Sequence, residues 1–320
     1  MIRWGIIGCG RIAHRFMQGL NTIEDAILIS VWSRRPETVK NFVGRYGGSA
    51  CSTIDELLLS DIDAVYIATL PDSHVQYSIL ALNAGKHVLC EKPAAINLSG
   101  LKQVWQVAKS KRVLFMEGMK PPFFPLYRRL KKHLLDDPIG PVGYVRAGSS
   151  VADLTSDHPN FSHQFIGGSL MQIGIYEAFL AIDWLGKADK VQALGRFGET
   201  GIDMFSIFQS QHGNGFAQLY CGFDHHGSGD ALLVAPKGYV TIHKNWWNPT
   251  RATINYLDGR IVELDEPFNA GGLNYEIEHF CELIEANEIE SPIISYEMSC
   301  QMISMLDEAR DIIGLKFIGE

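Results

Sequence analysis

The chain has 320 residues, 46% hydrophobic and 20% charged, with 28 Lys and Arg against 36 Asp and Glu for a formal net charge of −8. That length predicts about two domains of ~100 to 200 residues, each able to bury a core, and the charged fraction excludes a disordered chain. The acidic balance argues against a general nucleic-acid or anionic-membrane surface. No apolar run approaches the ~20 residues of a spanning helix and Met1 leads straight into a core strand, so a cytoplasmic protein with no membrane partner is expected. Cys9, Cys51, Cys90, Cys221, Cys281 and Cys300 are scattered with no Cys-x-x-Cys pair, which predicts buried free thiols and neither a disulfide nor a metal site.

Residues 3–8, Arg-Trp-Gly-Ile-Ile-Gly, are a short apolar run that empties into Gly8-Cys9-Gly10-Arg11-Ile12-Ala13. Ile12, Phe16 and Leu20 then share a helical face, so the pattern is strand, tight turn, helix. Gly8 permits the reversal, Gly10 lets the backbone approach a pyrophosphate, Ala13 packs the helix on its strand, and the helix N-H groups face the phosphates. A dinucleotide site is expected here. Residues 27–32 form the next strand, ending in Ser33-Arg34-Arg35 before Pro36 opens a helix. An NAD site usually carries an acidic residue at this strand end. Ser33 and Arg34 suit a 2'-phosphate instead, so NADP is expected, with NAD as the alternative.

Residues 63–69 form a further strand, followed by Leu70-Pro71-Asp72-Ser73-His74 and a helix closed by Gly85. Ligands gather at strand ends of an open parallel sheet. Thr69 and Leu70 therefore border the cofactor, while His74 either joins them or is an ordinary first-turn helix residue. His87-Val88-Leu89-Cys90 is another short strand, running into Glu91-Lys92-Pro93.

The glycine turn, Ala68-Thr69 with Pro71 and His74, and Ala84-Gly85-Lys86-His87-Val88-Leu89-Cys90-Glu91-Lys92-Pro93 together resemble the Gfo/Idh/MocA oxidoreductases along the length of the chain. The resemblance implies a lysine beside nicotinamide and substrate, at Lys92 with Glu91 next to the cofactor, and commonly a cis bond between Lys92 and Pro93. A helix is predicted over residues 94–111 and a last strand over 113–117. Met116-Glu117-Gly118-Met119 is similar to the stretch that, in the dihydrodiol-dehydrogenase-like branch, precedes an aromatic in the substrate pocket. Here that position is Lys120, which either meets a non-aromatic substrate or points to solvent.

From Pro141 the pattern turns to period two, with hairpin signals at Asn214-Gly215, Pro236-Lys237-Gly238 and Asp258-Gly259. The expected architecture is an α/β N-terminal Rossmann domain, a doubly wound parallel sheet over residues 1–120. An α+β domain with a large, mostly antiparallel open sheet follows over 121–320. One helix runs from Gly167 to Leu185 and two more close the chain, over 273–286 and 295–313; the last helices are expected to pack back on the first domain. An open sheet with one bare face predicts a homo-oligomer, and the resemblance implies a homodimer or homotetramer formed through that sheet. Asp224-His225-His226 and Asp230 lack metal-ligand spacing.

Residues 167–176 are similar to the family's second signature, a glycine-rich helix start carrying an acidic residue and, four positions on, His or Tyr. Tyr176 fills the second position, as in the dihydrodiol dehydrogenases and glucose-fructose oxidoreductases, but Gln172 stands where Asp is usual. An amide orients a hydroxyl and cannot act as base at neutral pH. His158 is a weaker substrate-contact candidate in the loop before this helix, beside His163. The expected function is NADP(H)-dependent hydride transfer to or from a sugar, polyol or related compound, with Lys92 and Tyr176 handling the proton. A phenol of pKa about 10 needs about 3 to 4 kcal/mol from the lysine's field to ionise near neutrality. The alternative is a dinucleotide-binding metabolite sensor without turnover, which Gln172 keeps open.

Overall fold

The structure, a computed structural model, describes residues 1–155 and 157–317. The chain divides into two compact units, residues 1–120 with 269–299, and residues 121–268 with 300–320.

The first unit alternates strand and helix: β1 (Ile2–Ile7), α1 (Arg11–Leu20), β2 (Ala26–Trp32), α2 (Pro36–Tyr46), β3 (Ser49–Ala50), α3 (Ile54–Leu59), β4 (Ala64–Ile67), α4 (His74–Asn83), β5 (His87–Glu91), α5 (Leu98–Lys111) and β6 (Phe115–Gly118). The six strands are all parallel, in the order β3-β2-β1-β4-β5-β6. This is the doubly wound arrangement expected of near-continuous apolar strands separated by helices. The order reverses between β1 and β4, and there the glycine turn sits. Tyr66 of β4 stacks on Phe16 of α1 at 3.8 Å between ring centroids, and Trp4 of β1 meets the edge of Phe16 at 5.2 Å. Residues 94–97 precede the helix instead of opening it, because Asn97 caps α5 by accepting from the Gly100 N–H at 2.9 Å.

The second unit opens with α6 (Pro125–Asp136) and β7 (Tyr144–Ser150). It continues through α7 (Ile175–Leu185), β8 (Lys190–Phe197), β9 (Asp203–His212), β10 (Gly215–Gly222), β11 (Ala231–Ala235), β12 (Gly238–Ile242), β13 (Arg251–Tyr256) and β14 (Ile261–Asp265). Its sheet runs β14-β13-β12-β11-β7-β10-β9-β8 and is antiparallel except for the parallel pair β7 and β10. α7 packs on those two strands, whose inward residues Val145, Ala147, Ala217, Leu219 and Cys221 are buried. The opposite face carries Leu194 in register with Ile207 and Tyr220, and Tyr239 in register with Asn255 and Ile261. Leu194, Ile207, Phe216, Tyr239 and Ile261 are exposed there.

Helix α8 (Asn274–Glu285) belongs to the first unit, where Phe280 lies 5.3 Å from Trp4, and α9 (Tyr296–Ile313) ends the described chain. The sequence reading found no stretch of membrane-spanning length, but residues 163–185 do reach it, with a mean hydropathy of 1.5. In the structure 83% of that window is buried. Its C-terminal part is α7, which packs into the core of the second unit, while Gln172 and Tyr176 stay half-buried.

Candidate active site

In the first unit the parallel strands deliver the predicted residues to one edge: Gly8 after β1, Ser33 and Arg34 after β2, Thr69 and Leu70 after β4, Lys92 after β5 and Lys120 after β6. Gly8 adopts φ +101°, and a Cβ there would lie 2.7 Å from Ala68 O and 2.8 Å from Ala68 C. Its N–H bonds Trp32 O at 2.8 Å, which ties the turn to the end of β2. Gly10 is different. It is the N-cap of α1 at φ −80°, and a Cβ on it would meet nothing closer than Ala68 O at 3.9 Å. Packing therefore does not demand glycine at position 10, whereas close approach of a phosphate does. Helix α1 opens with no side-chain cap and no acidic residue in its first turn, so the N–H groups around Arg11 and Ile12 favour an anion. Arg34 and Arg35 are exposed beside this turn. These residues fit the pyrophosphate and 2'-phosphate of a dinucleotide.

Two of the cofactor candidates face inward. His74 is 1% exposed, with Nδ1 2.8 Å from Pro93 O and Nε2 3.2 Å from Thr69 O. Burial pushes its pKa down. Both nitrogens face backbone carbonyls, so His74 ties together the loops that carry Thr69 and Pro93. The Glu91 carboxylate is likewise buried and accepts from the Tyr66 hydroxyl at 2.5 Å. Position 91 thus supports Lys92 from behind. Lys92 is half-buried, its bond to Pro93 is cis, and the Ala94 N–H donates to the buried Glu117 Oε1 at 2.8 Å.

Lys120 does not point to solvent. It is buried, and burial lowers its pKa to about 7, with Arg15 and Lys92 pushing the same way and Glu91 and Glu276 opposing. Glu276 on α8 is buried too, and burial, then Glu91, holds its carboxyl well above the usual range. Sequence reasoning missed Glu276 because α8 lies some 150 residues from Lys120 along the chain.

In the second unit Gln172 and Tyr176 are both half-buried. Residues 170–174 form a π-type turn that leads into α7, instead of the uniform helix expected. Such turns recur at functional sites. The buried carboxylate of Asp203 holds the start of this one, with Oδ2 accepting from Ser169 Oγ at 2.6 Å, Leu170 N at 2.8 Å and Ser206 Oγ at 2.8 Å. Gly168, at φ +110°, leaves room for this carboxylate; a Cβ would sit 2.2 Å from its Oδ1. Asp203 takes the place of a capping residue, and nothing local in the sequence marks it. Gln172 Nε2 donates to Ile166 O at 3.0 Å, anchoring its own loop. Ile166 holds φ +57°, costly for a β-branched residue. Beside Tyr176, buried Glu177 accepts from Ser149 Oγ at 2.5 Å, and that oxygen in turn accepts from Trp246 Nε1 at 3.1 Å, fixing the rotation of α7. His158 Nδ1 accepts from Asn160 N at 3.2 Å as a turn cap.

The acidic and histidine residues of the loop after β10 are committed elsewhere. Asp224 takes Arg196 and His225, and Asp230 takes Arg146 at 3.1 Å. Among the described residues no group of three metal-ligating side chains is found.

A profile of an oxidoreductase family with an NAD-binding Rossmann fold, Gfo/Idh/MocA, matches residues 2–119. The chain is 32% identical over 337 residues to the scyllo-inositol 2-dehydrogenase (NADP(+)) IolU of Bacillus subtilis, covering 99% of this chain and 98% of that one. It is 29% identical over 328 residues to the trans-1,2-dihydrobenzene-1,2-diol dehydrogenase of Danio rerio, covering 99% and 98%. Among solved structures, the fold is shared with KijD10, a 3-ketoreductase from Actinomadura kijaniata in complex with NADP and TDP-benzene. The TM-score is 0.87, with 24% identity and 98% of each chain covered.

Proposed function

Because this chain belongs to the Gfo/Idh/MocA family of oxidoreductases, we propose that it is an NADP(H)-dependent dehydrogenase of a sugar, polyol or cyclic diol, with Lys92 and Tyr176 as its proton-handling pair. The observation that carries the reading is the shared edge of the first sheet: an anion-binding glycine turn after β1, exposed basic residues after β2 and Lys92 after β5. The relatives' names supply the substrate class and, for IolU, the phosphorylated cofactor. The bound dinucleotide accepts or supplies the hydride. Gly8, Gly10 and the start of α1 seat its pyrophosphate, Ser33 and Arg34 hold the 2'-phosphate, and Thr69 and Leu70 line its path.

Oxidising a secondary alcohol also releases a proton from oxygen. In the proposed scheme the Lys92 ammonium favours the Tyr176 phenolate, the phenolate takes that proton, and Tyr176 returns it in reduction. Gln172 orients a substrate hydroxyl. His158 contacts the substrate's far side, and Lys120 excludes a flat aromatic ring from the place it fills. The six free thiols suit a reducing compartment, and the exposed apolar face of the second sheet suits a homo-oligomer.

The test is a panel of inositols, aldoses and diols offered with NADP+ or NAD+, followed by single-turnover hydride transfer at saturating cofactor. Tyr176→Phe and Lys92→Met are expected to slow that step by about 10²- to 10⁴-fold. Undiminished rates in both variants refute the assignment. Tight cofactor binding without turnover of any panel member favours the sensor that Gln172 allows.

A further inference from the structure

Four ionisable side chains lie buried together at the C-terminal edge of the first sheet: Tyr66, Glu91, Lys120 and Glu276. They come from β4, β5, the residues after β6, and α8, with Arg15 of α1 and Lys92 acting on them electrostatically. The β5–β6 register pairs Glu91 with Gly118, the last residues of the two strands, so Lys92 and Lys120 leave neighbouring strands at the same edge of the sheet. Glu276 is 1% exposed, and its Oε2 has no hydrogen-bond partner among the described residues. Glu91 is satisfied in part by Tyr66, whose hydroxyl donates at 2.5 Å. A buried carboxyl oxygen left unpaired beside a buried amine is costly as a purely structural device.

We propose that Lys120, seated against Glu91 and Glu276 behind Lys92, is the proton store of the reaction, taking up the proton that leaves the substrate hydroxyl on oxidation and returning it on reduction. The inference rests on the function proposed above. As the carbonyl forms, a bound oxidised nicotinamide would take the substrate's hydrogen together with the electron pair of the broken C–H bond. The O–H proton passes by way of Tyr176 and Lys92 to Lys120, whose amine becomes an ammonium. The reverse reaction draws the same proton back.

The chemistry of the other groups leaves this role open. Gln172 does not exchange protons at neutral pH, and an ordinary phenol or ammonium releases its proton only near pH 10. A group populated in both forms near neutrality is the efficient proton carrier. Burial brings Lys120 to about 7. Arg15 and Lys92 favour its neutral form and Glu91 and Glu276 its charged form, so the cluster holds both within reach.

The test pairs kinetics with spectroscopy. In the full-length enzyme with scyllo-inositol and NADP+, the pH profile of kcat is expected to show a limb near pH 7. Lys120→Met and Lys120→Arg are each expected to remove it and lower kcat at pH 7.5 about 10- to 100-fold, with the Kd for NADPH within about twofold of wild type. Arginine keeps the charge but does not give up its proton, so it separates electrostatics from transfer.

The second readout needs no turnover: wild-type protein carrying 13Cε-labelled lysine, titrated by NMR, is expected to show one lysine resonance with a midpoint near 7. Retention of the limb in both Lys120 variants overturns the proposal, as does a wild-type titration in which every lysine has its midpoint near 10. If scyllo-inositol is not turned over while one lysine titrates near 7, the proposed substrate fails and the buried proton site stands.

Discussion

The clearest separation of folding from cofactor binding is between Gly8 and Gly10, two residues apart in one turn. At Gly8→Ala the new residue must hold φ +101° with its Cβ 2.7 Å from a backbone carbonyl oxygen. The left-handed backbone costs about 1 to 2 kcal/mol, and displacing the Ala68 segment adds about 1 to 3. The reduced freedom of the unfolded chain returns about 0.5. The expected net loss is about 2 to 4 kcal/mol, read as a lower urea midpoint at unchanged m-value. At Gly10→Ala the backbone, φ −80°, suits any residue and the nearest atom stands 3.9 Å away. Stability should stay within about 0.5 kcal/mol. The added methyl occupies the approach of the pyrophosphate, so NADPH affinity, measured by fluorescence titration, should fall at least tenfold, or about 1.4 kcal/mol. A Gly10→Ala protein that binds NADPH as tightly as wild type refutes the placement of the phosphates. A Gly8→Ala protein of wild-type stability refutes the reasoning from backbone geometry.

Arg34→Glu should weaken NADPH binding about 100-fold and NADH binding far less, measured by the same titration, since it replaces a phosphate partner with a ribose-hydroxyl acceptor. Asp203→Ala leaves three buried donors without their shared acceptor and should cost about 3 kcal/mol in urea unfolding. Asp203→Asn keeps one oxygen in place and should cost far less. Burial raises the Asp203 pKa, so the native state holds this proton more tightly than the unfolded chain. Its contribution therefore falls as pH rises above the ordinary aspartate value, and the Asn variant should lack that decline. Asp63 has the opposite sign. Its hydrogen bonds from Arg3 hold it below its ordinary value, so its stabilisation is present above that value and fades as pH falls, a loss that Asp63→Asn should abolish in acid-unfolding curves. Phe216→Glu together with Ile207→Lys, on the exposed face of the second sheet, should shift the mass seen by light scattering toward the single chain without changing the thermal midpoint; unchanged mass refutes assembly through that face.

What was legible in the chain follows how local the cause is. The glycine turn, the strand after it and Lys92 before a proline announce themselves within a few residues, because backbone conformation and strand periodicity are short-range. The hairpins at residues 214–215, 236–238 and 258–259 stand where turn chemistry put them. The direction in which a side chain points was harder. Position along the chain predicts His74 and Glu91 at the cofactor edge but says nothing of the inward partners, Pro93 O and the Tyr66 hydroxyl, that the structure gives them. The charges around Lys120 include Glu276 of α8, and the turn before Tyr176 is held at its start by Asp203, a strand residue about 30 positions later. Both are settled only when distant segments assemble.

The return of residues 269–299 to the first unit means that the dinucleotide module is not a contiguous stretch of gene. Its ancestral-looking front end stops near residue 120, but a piece excised there would lack the helix that shields Trp4 and would expose the apolar back of α1, where Gly19 is pressed so close to Asn274 that a methyl would stand 2.7 Å from its nitrogen. Swapping cofactor specificity by domain grafting therefore requires two cuts and a splice, and a chimera joined at a single crossover inherits a mismatched seam.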